Sequence, residues 1–164
     1  MLRSLCVPAA LLLGAVAALV AQDKYSGPRP PKSDIPYILH ASNLVETEIG
    51  EAREEKTKKE AINWVAGVAS PVRTPLAEPI LLLVSEKLQP DKLELFQVQV
   101  RNGRREIAFP LEAKRAKDAP RPKHTLITRL APGLFRIEAN EPLDNGEYCL
   151  SPSGAMQVFC FQIY

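Results

Sequence analysis

Between Leu93 and Phe109 the sequence reads LELFQVQVRNGRREIAF, with apolar residues at alternate positions on either side of Asn102-Gly103. Asn-Gly is the preferred central pair of a two-residue type I′ turn, because both positions take positive φ. Centring a hairpin there sets Arg101 against Arg104, Val98 against Ile107 and Phe96 against Phe109, while Gln99 meets Glu106 on the other face. Towards the start of this run the apolar phase changes, Leu93 and Leu95 being odd and Phe96, Val98 and Val100 even. Such a switch is produced by a bulge near Leu95 or by a strand buried on both faces.

A second pair of strands is expected in KHTLITRLAPGLFRIEA, turning at Pro132-Gly133. Opposing them about that turn sets Leu130 against Phe135, Thr128 against Ile137 and Leu126 against Ala139. Further strands are expected in PYILHASNLV, EAINWVAG, PILLLVS, GEYCL and MQVFCFQIY. The unbroken apolar run Ile80–Val84 is the mark of a strand in the middle of a sheet. From Glu46 to Glu60 the chain reads ETEIGEAREEKTKKE, where Ile49 is the one large apolar residue, so a helix there has no face to bury. That stretch is expected to be a solvated loop or the exposed tips of two long strands. About nine short strands, without a convincing helical period anywhere, predict an all-β fold, an antiparallel β-sandwich.

The N-terminus changes the picture of where such a domain resides. MLRSLCVPAALLLGAVAALVAQ carries Arg3 and then an apolar run from Ala9 to Val20. A membrane-spanning helix needs about 20 apolar residues, so residues 1–21 read as a secretory signal peptide, cleaved somewhere within 17–21. Cys6 stands before the apolar run, the wrong place for a lipidated cysteine. Cleavage leaves 20 basic against 19 acidic residues and two cysteines, Cys149 and Cys160. Residues 22–35 form a Pro-rich linker, where fixed φ and missing N–H groups discourage helix and internal sheet. Residues 36–164 then form the sandwich domain, exported to the periplasm or the medium with no membrane span remaining.

Asp144, Gly146 and Tyr148 stand in an Asp-x-Gly-x-Tyr spacing that resembles the tyrosine corner of immunoglobulin-like domains. There the tyrosine hydroxyl bonds back to upstream backbone and locks the start of a late strand. The resemblance spans about eight residues and implies an immunoglobulin-like sandwich. Two positions after the tyrosine, where antibody-type domains carry a bridging cysteine, this chain has Leu150, and its cysteine is Cys149.

With a period of two, Tyr148 and Leu150 pointing into the core leave Cys149 on the opposite face. Centring the last hairpin on Gly154-Ala155 opposes Tyr148 to Phe161, Leu150 to Phe159 and Cys149 to Cys160. Opposed Cα atoms in an antiparallel ladder lie roughly 4.5 or 5.5 Å apart, within the reach of a disulfide. A Cys149–Cys160 disulfide on the outer face of the last two strands is therefore expected, the alternative being two free thiols under a neighbouring loop.

Catalytic sets are weakly represented. His40 and His124 have no second ligand at metal-binding spacing, Ser153-Gly154 belongs to a turn, and Glu54-Glu55 lies among lysines where nothing desolvates a carboxylate. No cofactor is expected. From Arg101 to Arg129 nine basic residues face three acids, and Lys114, Arg115, Lys117, Arg121 and Lys123 form a candidate patch for an anionic surface. The near-neutral chain, with no aromatics among those basic residues, argues against nucleic acid. The expected function is a non-catalytic module that binds an envelope, polysaccharide or protein ligand. The alternatives are a small hydrolase-like enzyme with loop-borne residues, in which His40 or His124 meets a carboxylate in a pocket, and an accessory subunit of an envelope assembly.

Overall fold

The apolar run Ile80–Val84 has no polar position to turn towards water, and it lies in the centre of a sheet. A computed structural model describes residues 25–112, 117 and 119–164. The expected signal peptide and the first residues of the expected linker fall outside that range. In chain order the strands are β1 (Tyr37–His40), β2 (Asn43–Glu46), β3 (Glu48–Glu51), β4 (Arg53–Lys56), β5 (Glu60–Ala66), β6 (Arg73–Thr74) and β7 (Ile80–Val84). After one 3₁₀ turn at Pro90–Lys92 come β8 (Leu93–Arg101), β9 (Arg104–Pro110), β10 (Thr125–Ala131), β11 (Leu134–Ala139), β12 (Gly146–Pro152) and β13 (Gln157–Ile163). No helix among the described residues is long and apolar enough to cross a membrane.

Two sheets pack together as an all-β sandwich, with thirteen strands where the hydrophobic pattern predicts about nine. The four extra strands have separate causes. PYILHASNLV breaks into β1 and β2 at a turn where Ala41 takes a positive φ of 53°. The charged stretch after Glu46 forms β3 and β4, and the short β6 adds to β13 in parallel. The first sheet has the order β10-β11-β7-β1-β2. In its middle strand Leu81, Leu82 and Leu83 are all buried. Part of the Pro-rich segment docks beside it: Asp34 donates its N–H to the Val84 carbonyl at 2.7 Å, and its carboxylate accepts from the N–H groups of Glu86, Lys87 and Leu88.

The β10–β11 register departs from expectation. Ile127 opposes Ile137 and Thr125 opposes Ala139, and the ladder is irregular between Arg129 and Ala131. An extra residue in one strand shifts the alternation behind it by one position, so Ile127 packs against the core while Leu126 is exposed. The type I′ turn is as expected, with positive φ at Asn102 and Gly103 and Gln99 opposite Glu106.

The second sheet runs β3-β13-β12-β8-β9-β5-β4. Its two end strands are consecutive in the chain, separated by Ala52 alone, so one segment pairs with β13 through β3 and with β5 through β4. The sheet thereby curls until its ends meet, and both of its faces are covered. One face joins the first sheet in a core that includes Leu81, Leu83, Leu95, Leu150, Phe159 and Phe161. The other encloses a second, smaller core of Val65, Val98, Cys149, Val158 and Cys160. Curling explains the phase change in β8: Leu93 and Leu95 join the first core and Val98 the second, while the pairing with β12 runs unbroken from Leu93–Pro152 to Val98–Glu147.

The Tyr148 hydroxyl donates to the Asp144 carbonyl at 2.8 Å, and the fully buried ring stacks on Phe161 with centroids 5.8 Å apart. Burial, with the Asp144 charge nearby, pushes the phenol's pKa up. Cys149 opposes Cys160 in the ladder and the two form a disulfide with Cα atoms 4.1 Å apart. Its location is a correction to the sequence reading. The bond does not lie on an outer face, because the face opposite the main core is the inside of the curl, where Cys149 and Cys160 are both buried.

Candidate functional site: a cup inside the curled sheet

Alternation within the curled sheet stacks its inward residues in three layers. At one end Glu48, Arg105 and Glu147 face each other. Valines and the disulfide follow. At the far end stand Glu54, Asn63, Glu94, Phe96, Phe109 and the hairpin from Ser151 to Met156. The result is a cup with a polar floor, an apolar wall and a mixed rim.

Arg105, almost wholly buried, is the centre of the floor. Its guanidinium donates to both carboxylate oxygens of Glu48, at 2.6 and 2.8 Å, and to the carbonyls of Ala66 and Gly67. Planar, bidentate pairing is what allows a guanidinium to be buried at tolerable cost. Glu147 lies 3.6 Å from Arg105 Nη1 and accepts the Ser70 N–H at 2.9 Å through Oε2. Its Oε1 is buried without a hydrogen-bond partner. The two acids therefore diverge. At Glu48 burial pushes the pKa up, but the Arg105 guanidinium outweighs it and holds the carboxyl below its ordinary value. At Glu147 burial prevails and the pKa is raised.

Above the floor the wall is formed by Val65, Val98, Ile107, Val158 and the disulfide, around a cavity of about 410 Å³. Room exists because the inward positions Gly50 and Ala52 are small. A Cβ added at Gly50 would stand 3.0 Å from Val65 Cγ1 and 3.3 Å from Val158 Cγ2, so a side chain there would crowd the wall. β8 and β9 part beside the cavity: their ladder covers Gln99–Arg101 against Arg104–Glu106. Farther along β8, Leu95 accepts instead from the Lys123 N–H at 2.7 Å. Phe96 and Phe109 meet across the parting edge to face, with centroids 6.0 Å apart. On the outside of the same hairpin a second hollow of about 290 Å³ is lined by Gln97, Gln99, Arg101, Glu106 and Pro120 among others.

The residues singled out by sequence distribute unevenly about this site. Cys149 lines the cup and Cys160 is bonded behind it. Asp144, Gly146 and Tyr148 anchor the start of β12 and take no part in the lining. Lys117 and Arg121 are exposed and Lys123 is half-buried, all outside the lining. Lys114 and Arg115 lie outside the described residues. His40 hydrogen-bonds Thr74 Oγ1 at 3.0 Å, His124 is exposed, and neither borders the cavity. Glu54 stands on the rim, paired with Lys56 at 2.9 Å, whereas Glu55 pairs with Arg104 at 2.9 Å. Among the described residues no group of three or more histidine, cysteine or acidic side chains is placed to hold a metal ion.

Sequence reasoning missed the floor, although a signal was present. Arg105 shares strand parity with Ile107 and Phe109, and Glu147 with Cys149. A charge at an apolar strand position is itself the hint of a buried ion pair. Compared with family models, with curated proteins and with solved structures, the chain matches none.

Proposed function

We propose that this chain is an exported, non-catalytic binding module whose ligand is a small molecule with an apolar body seated in the cup. The observation that carries this reading is an apolar-walled cavity of about 410 Å³, plugged at one end by mutually paired charges and open at the other. That volume lies within the range of about 300 to 1,000 Å³ typical of small-molecule sites, which combine apolar walls with a few polar groups. A curled β-sheet is a suitable holder, because its ladder fixes the wall while alternation assigns each side chain to lumen or exterior. Arg105 and Glu48 saturate each other, so the floor suits a plug better than a reacting centre. Export is supported by the apolar leader and by the disulfide, a bond that persists in oxidising compartments.

Titration with N-phenylnaphthylamine, a neutral dye that brightens in apolar surroundings, tests the reading. The mature protein should give saturable enhancement with one site per chain. Ile107→Trp, which fills the cavity from its partly buried wall, should abolish it. Circular dichroism and thiol titration of the variant report whether the sheet and the disulfide persist. Enhancement that survives in a folded, cavity-filled protein rejects the cup as the site.

A further inference from the structure

The rim of the cup carries a chemical preference. Glu94 and Phe96 stand two residues apart on β8, so their side chains project to the same side of the sheet, and both line the cavity. Phe96 meets Phe109 edge to face, and both rings are only partly buried. Glu94 makes no ion pair or side-chain hydrogen bond among the described residues, whereas the other rim acid, Glu54, is neutralised by Lys56. Among the described residues Arg105 is the one basic side chain in the lining, and its guanidinium is already engaged by Glu48 and two backbone carbonyls.

We infer that the ligand is a cationic amphiphile, an alkyl- or arylammonium. Its head sits at the rim against the Glu94 carboxylate and the faces of Phe96 and Phe109. Its apolar tail runs down the wall formed by Val98, Ile107 and Val158. This inference rests on the cup being the binding site and adds the class of molecule that fills it. An ammonium head gains Coulomb attraction from the unpaired carboxylate and from the negative ring faces. A carboxylate or phosphate head would be desolvated beside Glu94 with no free cation among the described lining residues to receive it, so the rim discriminates against anionic lipids as well as for cationic ones.

Calorimetric titration with three ligands of one tail length decides it: decyltrimethylammonium, decanol and decanoate, each kept below its micelle concentration. The ammonium should bind about tenfold more tightly than the alcohol, one such factor being the size of a single favourable charged contact. Decanoate should bind most weakly. Glu94→Gln, a change at an exposed rim position, should remove the ammonium advantage and bring the ammonium's affinity to that of decanol. Equal affinities for all three, or a preference for decanoate, would overturn the head-group assignment while leaving the cup as a site for neutral molecules. An ammonium preference that persists in Glu94→Gln would overturn the role of Glu94. Failure of all three ligands together with the neutral dye would remove the cup reading and this inference with it.

Discussion

The two faces of the β12–β13 hairpin enclose interiors of different kinds. Towards the first sheet, Tyr148, Leu150, Phe159, Phe161 and Ile163 are almost completely buried among leucines and isoleucines. Towards the inside of the curl, the same strands present Glu147, Cys149, Val158 and Cys160 to a floor of charges and a cavity of about 410 Å³. The first interior is filled by large side chains and holds the sheets together. The second leaves a cavity between valines and rim aromatics and depends on a covalent bond and an ion network. A molecule that needs both rigidity and vacant volume can keep them on opposite faces of one sheet, because alternation lets each face be chosen separately.

The floor offers the largest test of this contrast. Arg105→Met should destabilise the protein by about 3 to 5 kcal/mol at neutral pH, since it leaves two carboxylates facing each other without their cation. In the variant both carboxyls hold their protons more tightly in the folded state than in the unfolded one. The deficit should therefore shrink as pH falls through the ordinary carboxylate range near about 4.3. Urea titrations across that range measure both effects, and a deficit independent of pH would show that packing, not charge, is what Arg105 supplies.

Neighbouring residues on opposite faces come next. Phe159→Ala should cost about 3 to 5 kcal/mol, the usual toll for emptying an aromatic site in a close-packed core. Val158→Ala removes less buried surface and enlarges a cavity that already exists, so about 1 kcal/mol is expected. Similar urea midpoints for the two variants would mean that the interiors do not differ in packing. Reducing the disulfide should cost no more than the roughly 3 kcal/mol expected for a loop of this length, read as the shift in melting temperature with and without reductant.

Two smaller effects concern single atoms. Tyr148→Phe deletes the hydroxyl's hydrogen bond to Asp144 and should cost about 0.5 to 1.5 kcal/mol, visible as a lower urea midpoint. Glu147→Gln should do the reverse and stabilise by up to about 1 kcal/mol at neutral pH. The raised pKa means that the charged form is penalised in the folded protein above the unfolded value. Below that value the acid is protonated in both states, so the gain should vanish in acid. A loss of stability at neutral pH would show instead that the Glu147 charge is needed by Arg105.

The strands that the sequence hid are instructive. Along β3 and β4 the inward positions are Glu48, Gly50, Ala52 and Glu54, and not one is a large apolar residue. Hydrophobic alternation is therefore silent over Glu46–Glu60, which reads as a solvated loop or as the exposed tips of two long strands; the second is nearer to what is found, since the exposed β4 pairs with β5 as a hairpin. Its strand character comes from its neighbours: β13 and β5 supply the ladders, Arg105 supplies the partner for Glu48, and Val65 and Val158 fill the space left by Gly50. The disulfide was legible for the opposite reason. Turn position and alternation together fix which residues of a hairpin oppose one another, so the Cys149–Cys160 pairing follows from local order alone.

Local order thus determined what lies along the chain: the antiparallel all-β class, the Asn102-Gly103 turn, the last hairpin with its register and disulfide, and the spacing that brings the Tyr148 hydroxyl back to Asp144. These depend on turn chemistry and on a period of two, which neighbouring residues settle between themselves. Tertiary structure decided the rest. Whether the second face of a sheet meets water or itself depends on where strands far apart in sequence pair: the β3 ladder joins residues 48–51 to 157–160, across most of the chain, and the β5 ladder joins residues 60–66 to 104–110. Only when those ladders close does Arg105 meet Glu48 and Glu147, does the disulfide become interior, and does a charged segment become the wall that completes a cup.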